Sequence, residues 1–209
     1  MRRFDPKSLR LLVALALIVF CAVSPARAAR ISPLEGLELA RKGFSGLNDF
    51  TAEITQEKQI ALMKKKLVSS GTVRFRRPDS FLMEINPPRA SRVLLKDNVL
   101  NLFLPAEGIR QKTILPAEEG LLRWLVLLDR PLTSLPEGLE VQADRQGETI
   151  HLTILPKSGK GVRELRLTLH EDGRPKRLAI EERNRDRTEI TFRNVRKNVG
   201  LTEKDFRVE

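Results

Sequence analysis

From Asn48 onwards, over most of the chain, apolar and polar residues alternate with a period of two. This pattern constrains the fold more than any other feature, because it is typical of β-strands with one buried face. Phe50, Ala52 and Ile54 alternate with polar neighbours, and the alternation returns in short segments that end at Gly, Pro or Asp-Asn turns. Strands joined by such turns, spaced roughly every 8 to 12 residues, pair as antiparallel neighbours. The sequence therefore predicts a mainly β protein, built as an antiparallel meander or barrel.

Two segments are predicted to be helices instead. The first begins with Ser32 as its N-cap, has Glu35 three residues after the cap, and closes near Gly43. The second, residues 116–131, begins with Pro and two glutamates and ends at Asp-Arg-Pro. Its middle is apolar on nearly every side, so we expect it to pack against protein or to cover an apolar surface itself.

The first 28 residues have the three parts of a secretory signal. Basic residues come first, an apolar stretch spans residues 11–23, and a small-residue exit, Ala-Arg-Ala, ends at Ala28. An uncleaved membrane anchor is the alternative, but the apolar stretch is shorter than the roughly 20 residues that span a bilayer. We therefore expect a signal peptide, residues 1–28, to be removed on export to the periplasm. Residues 29–209 then form a single domain.

Cys21 is the one cysteine of the chain and lies within this apolar stretch. Bacterial lipid attachment needs a small residue directly before its cysteine, whereas Phe20 is bulky, so we interpret Cys21 as part of the removed segment. The remaining chain then contains no cysteine, and we expect neither a disulfide nor a cysteine-ligated metal.

The positive charge of the chain limits its partners. Residues 1–28 contain five basic and one acidic side chain, so residues 29–209 keep +7 of the formal charge of +11. In the periplasm such an excess favours an anionic membrane or an acidic protein, although a merely soluble basic surface has the same composition. Nucleic-acid binding needs aromatic side chains on which bases stack, and the chain has no tyrosine and one tryptophan, Trp124. We expect no nucleic-acid partner.

Candidate catalytic groups are few. His151 and His170 each lie on the polar side of an alternating segment, where a histidine is normally an ordinary surface residue. The sequence has no His-Glu-x-x-His and no Gly-x-Ser-x-Gly motif. We therefore expect no enzyme, no metal site and no cofactor, and a non-enzymatic interaction or sensor module of the envelope stays open.

The apolar sides of the strands can combine into one face of a curved sheet. From composition alone, that face is an ordinary core filled by side chains. The alternative is a sheet wrapped partly around a cavity, with the helices as a lid, where burying each CH₂ of an acyl chain is worth about 0.8 kcal/mol. The residue pattern by itself leaves both interpretations open.

An ordered set of motifs runs along most of the chain after residue 28. The main segments are FSGLNDFTAEITQEK, GTVRFRRPDSFLMEINPP, VLLKDNVLNLFLPAEGIRQK and LTLHEDGRPKRLAIEERNRDRTEITFRNVRKNVGL. In this order they resemble the LolA family of periplasmic outer-membrane lipoprotein carrier proteins. No single segment is diagnostic, and the resemblance rests on the ordered set.

The resemblance implies an incomplete antiparallel β-barrel, which is a strongly curved sheet, covered by an α-helical lid. It implies a monomeric carrier that binds the acyl chains of lipoproteins in an apolar cavity and makes or breaks no bond. The donor would be an inner-membrane ABC exporter of LolCDE type, and the acceptor an outer-membrane protein of LolB type. A carrier of another lipid or lipid-linked product on the same scaffold is the alternative.

Residue roles follow from the same resemblance. Arg77 matches the arginine directly before proline in the family pattern, and its implied role is to hydrogen-bond lid backbone and hold the empty carrier closed. The alternation places Arg74 and Arg76 on the other side of this strand, where we expect a solvated exterior. The expected ligand-binding residues of the cavity and lid are Phe75, Phe81, Met83, Leu102, Leu125 and Phe192.

Overall fold

The computed structural model describes residues 29–115, 131–157 and 161–207. The expected signal peptide, residues 1–28, lies outside the described residues, as do residues 116–130 of the second predicted helix, with Leu125 among them. Within the described part, twelve β-strands form one sheet. Their bounds are β1 (Ala29–Ile31), β2 (Asp49–Ile60), β3 (Lys65–Arg76), β4 (Ser80–Ile85), β5 (Ser91–Lys96), β6 (Val99–Leu104), β7 (Ile109–Ile114), β8 (Leu139–Gln146), β9 (Thr149–Pro156), β10 (Val162–His170), β11 (Pro175–Glu182) and β12 (Arg187–Lys197).

The strands lie in the order β1-β8-β9-β10-β11-β12-β2-β3-β4-β5-β6-β7. All of these neighbours are antiparallel, and most are consecutive hairpins. The last strand along the chain, β12, pairs with β2, which lies near the start of the chain. The sheet is curved, and β1 and β7 stay at its two edges. It is an incomplete barrel with a helix, which confirms the predicted fold class.

The helix α1, Pro33–Phe44, begins as predicted, because the backbone N–H of Glu35 donates to the Ser32 hydroxyl oxygen over 3.1 Å. It packs against β8 and β9, and we call this side of the sheet the inner face. Gly36 permits the close approach, since a Cβ there would lie 2.3 Å from the Ala143 Cβ. The buried cluster beneath the helix contains Ala40, Ala143, Ile150, Leu152 and Leu169. Helix α1 therefore covers the inner face at β8 and β9.

A carboxylate joins α1 to the chain that follows residue 130. Glu38 accepts hydrogen bonds from Nε and Nη2 of Arg41, each over 2.7 Å, and from the backbone N–H of Leu132 over 3.3 Å. The hydrogen bond from Arg41, together with that from Leu132, lowers the pKa of Glu38 from 4.5 to about 2. Glu38 therefore stays ionised at neutral pH and holds α1 to Leu132.

None of the helices in the described ranges is long and apolar enough to cross a membrane.

A short 3₁₀ helix, Glu203–Phe206, covers part of the opposite, outer face of the sheet. Phe206 is buried there, and the guanidinium carbon of Arg76 lies 5.9 Å from the centroid of its ring. Glu203 forms ion pairs with Arg76 and with Lys96. The hydrogen bond from Lys96, followed by that from Arg76, lowers the pKa of Glu203. The C-terminal segment is thus attached to β3, β4 and β5.

The predicted outer-face position of Arg74 and Arg76 is confirmed, but their expected solvation is wrong. Arg74 donates to the carbonyl oxygen of Asp205 over 3.2 Å and lies 3.0 Å from a carboxylate oxygen of Glu84. The side chains of Arg74 and Arg76 are 33% and 25% exposed. The physical reason is the C-terminal segment, which folds back over this part of the sheet and supplies acceptors for both guanidinium groups.

Candidate functional site

The inner face of strands β2 to β6 contains two adjacent rows of apolar side chains. Directly opposed residues of paired strands lie on the same face of a sheet, side by side. One row crosses the five strands through Phe50, Phe75, Phe81, Leu95 and Leu100. The neighbouring row contains Ala52, Val73, Met83, Val93 and Leu102. We call these ten residues the apolar rows.

The apolar rows combine a packed base with accessible side chains. Val73 is 1% exposed and Phe75 is 5% exposed, whereas Phe81, Met83 and Leu102 are half-buried. The ring centroids of Phe50 and Phe75 lie 5.6 Å apart, within the range of aromatic contact, and the two ring planes are tilted by 36°. The inner face of these strands therefore presents partly accessible hydrocarbon side chains above a buried base.

The structure brings most of the predicted binding residues together. Phe75, Phe81, Met83 and Leu102 all belong to the apolar rows. Phe192 of β12 lies opposite Ile54 of β2 and packs into the same cluster of side chains. The sixth predicted residue, Leu125, lies outside the described residues.

Sequence reasoning missed other members of this surface, among them Val93 and Leu95. The two-residue Asp-Asn turn between β5 and β6 could have predicted their position, because it sets the pairing of the two strands. Asp97 and Asn98 have φ values of 51° and 58°, which suits a type I′ hairpin turn and fixes the register of the two strands. With this register, Leu95 lies opposite Leu100, and Val93 lies opposite Leu102.

Arg77 lies at one end of the inner face, in the turn between β3 and β4. Its Nε donates to the carbonyl oxygen of Leu47 over 2.7 Å, and its backbone N–H donates to the carbonyl of Asn48 over 2.8 Å. Leu47 is 4% exposed and belongs to the short connection between α1 and β2. Arg77 thus links the support of the apolar rows to the chain that leaves the helix.

The two histidines lie away from the apolar rows. His151 is half-buried on the outer face, with its ring nitrogens 3.2 Å from the hydroxyl oxygens of Thr149 and Thr168. His170 is the last residue of β10. Among the residues that the structure describes, no group of three or more His, Cys, Asp or Glu side chains could hold a metal ion. The described residues thus place hydrocarbon side chains on the inner face and His151 on the outer face.

A cavity of about 250 Å³ opens at the other end of the inner face. The β2–β3 hairpin, the β4–β5 turn and the segment after β6 surround it. Its lining includes Lys58, Leu67, Ile85, Pro88 and Leu104. We call it the mouth cavity, because it lies where the inner face meets the end of the long hairpin.

Comparisons with known proteins find several similar solved structures and one family model. Among solved structures, a LolA superfamily protein from Nitrosomonas europaea is 12% identical, with a TM-score of 0.45 over 85% of this chain and 98% of that chain. A putative outer membrane lipoprotein-sorting protein domain from Vibrio parahaemolyticus is 14% identical, with a TM-score of 0.45 over 83% of this chain and 95% of that one. Lipoprotein LppX from Mycobacterium tuberculosis is 12% identical, with a TM-score of 0.40 over 81% and 96%.

A comparison with curated proteins finds no match. The family model described as "Outer membrane lipoprotein carrier protein LolA" matches residues 45–209, which include β2 to β12 and the C-terminal 3₁₀ helix. This match confirms the family that the sequence motifs predict, and it covers well over half of the chain. The chain belongs to the LolA family.

Proposed function

We propose that this protein is a periplasmic carrier that binds the acyl chains of lipoproteins on its inner face and shuttles them from the inner to the outer membrane. The observation that supports this most is the pair of apolar rows, in which half-buried Phe81, Met83 and Leu102 lie on a rigid sheet. Family membership favours lipoprotein as the cargo, and the leader-like residues 1–28 favour the periplasm.

Binding and release are all that this function requires. Every residue of the apolar rows has a hydrocarbon or thioether side chain, so the rows select for chain length and fit rather than for a charged group. Each CH₂ transferred from water gains about 0.8 kcal/mol, and an acyl chain therefore binds without any specific polar contact. Release then needs a competing closed state, for which α1 and the Arg77–Leu47 hydrogen bond are the candidates.

The apolar rows contact the lipid part of a cargo and not a polypeptide. A free lipid or a lipid-linked product exported by another pump would therefore use the same surface, and the donor and acceptor proteins of LolCDE and LolB type belong to the lipoprotein version of the proposal. The mass of the bound cargo distinguishes the two versions.

Leu102→Asp is expected to weaken the binding of a fluorescent fatty acid at least tenfold, because a carboxylate on the acyl path must be desolvated when the chain binds. Asn101→Asp is the matched control. Asn101 is the neighbouring residue of the same strand, it is also half-buried, and it points to the outer face. The Asn101→Asp substitution introduces the same charge as Leu102→Asp and is expected to leave the affinity for the fatty acid unchanged. Fluorescence titration of the two variants and the parent protein measures the difference.

Equal affinities of the two aspartate variants would contradict the proposed site. A probe that binds none of the three proteins would instead favour the interaction or sensor module, in which the apolar rows are ordinary core.

A further inference from the structure

The long hairpin of β2 and β3 ends in an exposed apolar tip. Leu62 is 95% exposed and Met63 is 63% exposed. The turn that presents them is held at both sides, since the backbone N–H of Lys64 donates to the Ala61 carbonyl over 3.3 Å and the N–H of Ala61 donates to the Asp186 carboxylate over 2.9 Å. Two large apolar side chains are therefore directed into solvent by a fixed turn. We call residues 61–66 the hairpin tip.

Positive charge follows this apolar pair along the chain. Lys64, Lys65 and Lys66 follow it directly, and all three are exposed. Lys66 lies 2.7 Å from a carboxylate oxygen of Glu57, and no ion pair with Lys64 or Lys65 occurs in the part of the chain that the structure describes. The hairpin tip thus has two apolar side chains at its apex and three exposed lysines directly after them.

The hairpin tip lies beside the mouth cavity. Lys58 and Leu67 are directly opposed on the two strands of the hairpin, and both line that cavity. The hairpin extends beyond β4, because the pairing of β3 with β4 ends at Gly71 and Ile85. A surface that touches the tip would therefore face the open end of the inner face.

We propose that the hairpin tip docks onto an anionic phospholipid bilayer. Leu62 and Met63 enter the boundary between headgroups and acyl chains, while Lys64, Lys65 and Lys66 lie against the phosphates. The convex shape favours a bilayer over an acidic protein, because a fluid bilayer receives a protruding apolar apex without a preformed pocket. The purpose of the docking, to bring the mouth cavity to the source or destination of a lipid, rests on the proposed function, whereas the docking itself does not.

The expected binding is weak and reversible, as a shuttling protein needs. Each basic side chain near an anionic surface strengthens binding by about fivefold. The contribution falls as salt is raised, since the Debye length shortens. Two apolar side chains without a longer anchor do not hold a protein on a membrane permanently.

The test is co-sedimentation of the protein with vesicles of phosphatidylglycerol and, for comparison, of phosphatidylcholine. The protein is isolated from the periplasmic fraction, and its intact mass verifies that residues 1–28 are absent. One variant combines Leu62→Ser with Met63→Ser, and a second combines Lys64→Gln with Lys65→Gln. The control combines Ile109→Ser with Ile114→Ser on the edge strand β7, where these residues are 46% and 77% exposed. Binding of a fluorescent fatty acid is measured for every variant.

We expect the parent protein and the β7 control to bind phosphatidylglycerol vesicles, and to do so more weakly at high salt and on phosphatidylcholine. The serine variant of the tip is expected to lose at least tenfold in vesicle affinity, and the glutamine variant about tenfold or more. Both keep their affinity for the fatty acid. The proposal is overturned if the parent protein does not bind these vesicles, if the serine variant binds as well as the parent, or if the β7 control loses as much. If neither the parent protein nor any variant binds the fatty acid, the proposed function is contradicted, and the result on docking is unaffected.

Discussion

Arg77→Leu is expected to leave acyl uptake intact and to slow the release of cargo to an acceptor by about tenfold or more. The Nε of Arg77 donates to the Leu47 carbonyl over 2.7 Å, between the β3–β4 turn and the connection that follows α1. A hydrogen bond from a charged donor contributes about 1.5–3 kcal/mol. If this contact belongs to the closed, empty state, its loss destabilises that state relative to the loaded one. Cargo then binds more tightly and is released less readily.

The measurement has two parts, a titration with a fluorescent fatty acid and the rate of transfer from loaded protein to acceptor vesicles. Arg77→Lys keeps the charge but not the planar guanidinium group, so we expect an intermediate rate. Arg193→Leu removes an exposed arginine of β12 and is expected to behave as the parent protein. Transfer by Arg77→Leu at the parental rate would exclude Arg77 from the closing mechanism.

Gly71→Ala is expected to lower the free energy of unfolding by about 3 kcal/mol, near the upper end of the usual cost of overpacking. A Cβ at residue 71 would lie 2.0 Å from the carbonyl oxygen of Glu84 and 3.1 Å from the Cα of Ile85. These atoms are backbone of β4, so they can move away only if β3 and β4 separate. A cost of this size corresponds to a fall in Tm of about 6–12 °C for a domain of this length.

Gly161→Ala is the matched control for this substitution. Among the described residues, no atom lies within 4 Å of a Cβ placed at residue 161, so the same chemical change is made without a collision. We expect its free energy of unfolding to stay within about 0.5 kcal/mol of the parental value. Thermal unfolding followed by circular dichroism compares the two alanine variants. Equal melting temperatures would mean that β4 does not approach β3 as closely as the structure has it.

Much of the inner face could be predicted from the sequence, because alternation alone assigns each strand residue to one of two faces. Phe75 and Arg74 are neighbours in the chain, yet one is buried in the apolar rows and the other pairs with Glu84 on the outer face. The helix start at Ser32 can also be predicted from the sequence, because its cap depends on residues within one turn. Local spacing therefore predicts local structure and the composition of each face.

Contacts between distant parts of the chain could not be predicted in this way. The pairing of β12 with β2 and the burial of Phe206 depend on how the curved sheet returns upon itself, and no local pattern encodes either. The exposure of the hairpin tip cannot be predicted from the sequence for a related reason. In the sequence, Leu62 and Met63 look like a continuation of the preceding strand, and their exposure follows from the turn at residues 61–64.

Native mass spectrometry of protein released gently from the periplasm tests most directly whether the inner face holds the acyl chain of a lipoprotein. We predict an added mass that dissociates as a lipidated polypeptide and that is strongly reduced in the Leu102→Asp protein but retained in Asn101→Asp. An added lipid without a polypeptide would replace lipoprotein by another lipid as the cargo. A parent protein with neither lipid nor polypeptide bound would contradict acyl-chain binding on the inner face.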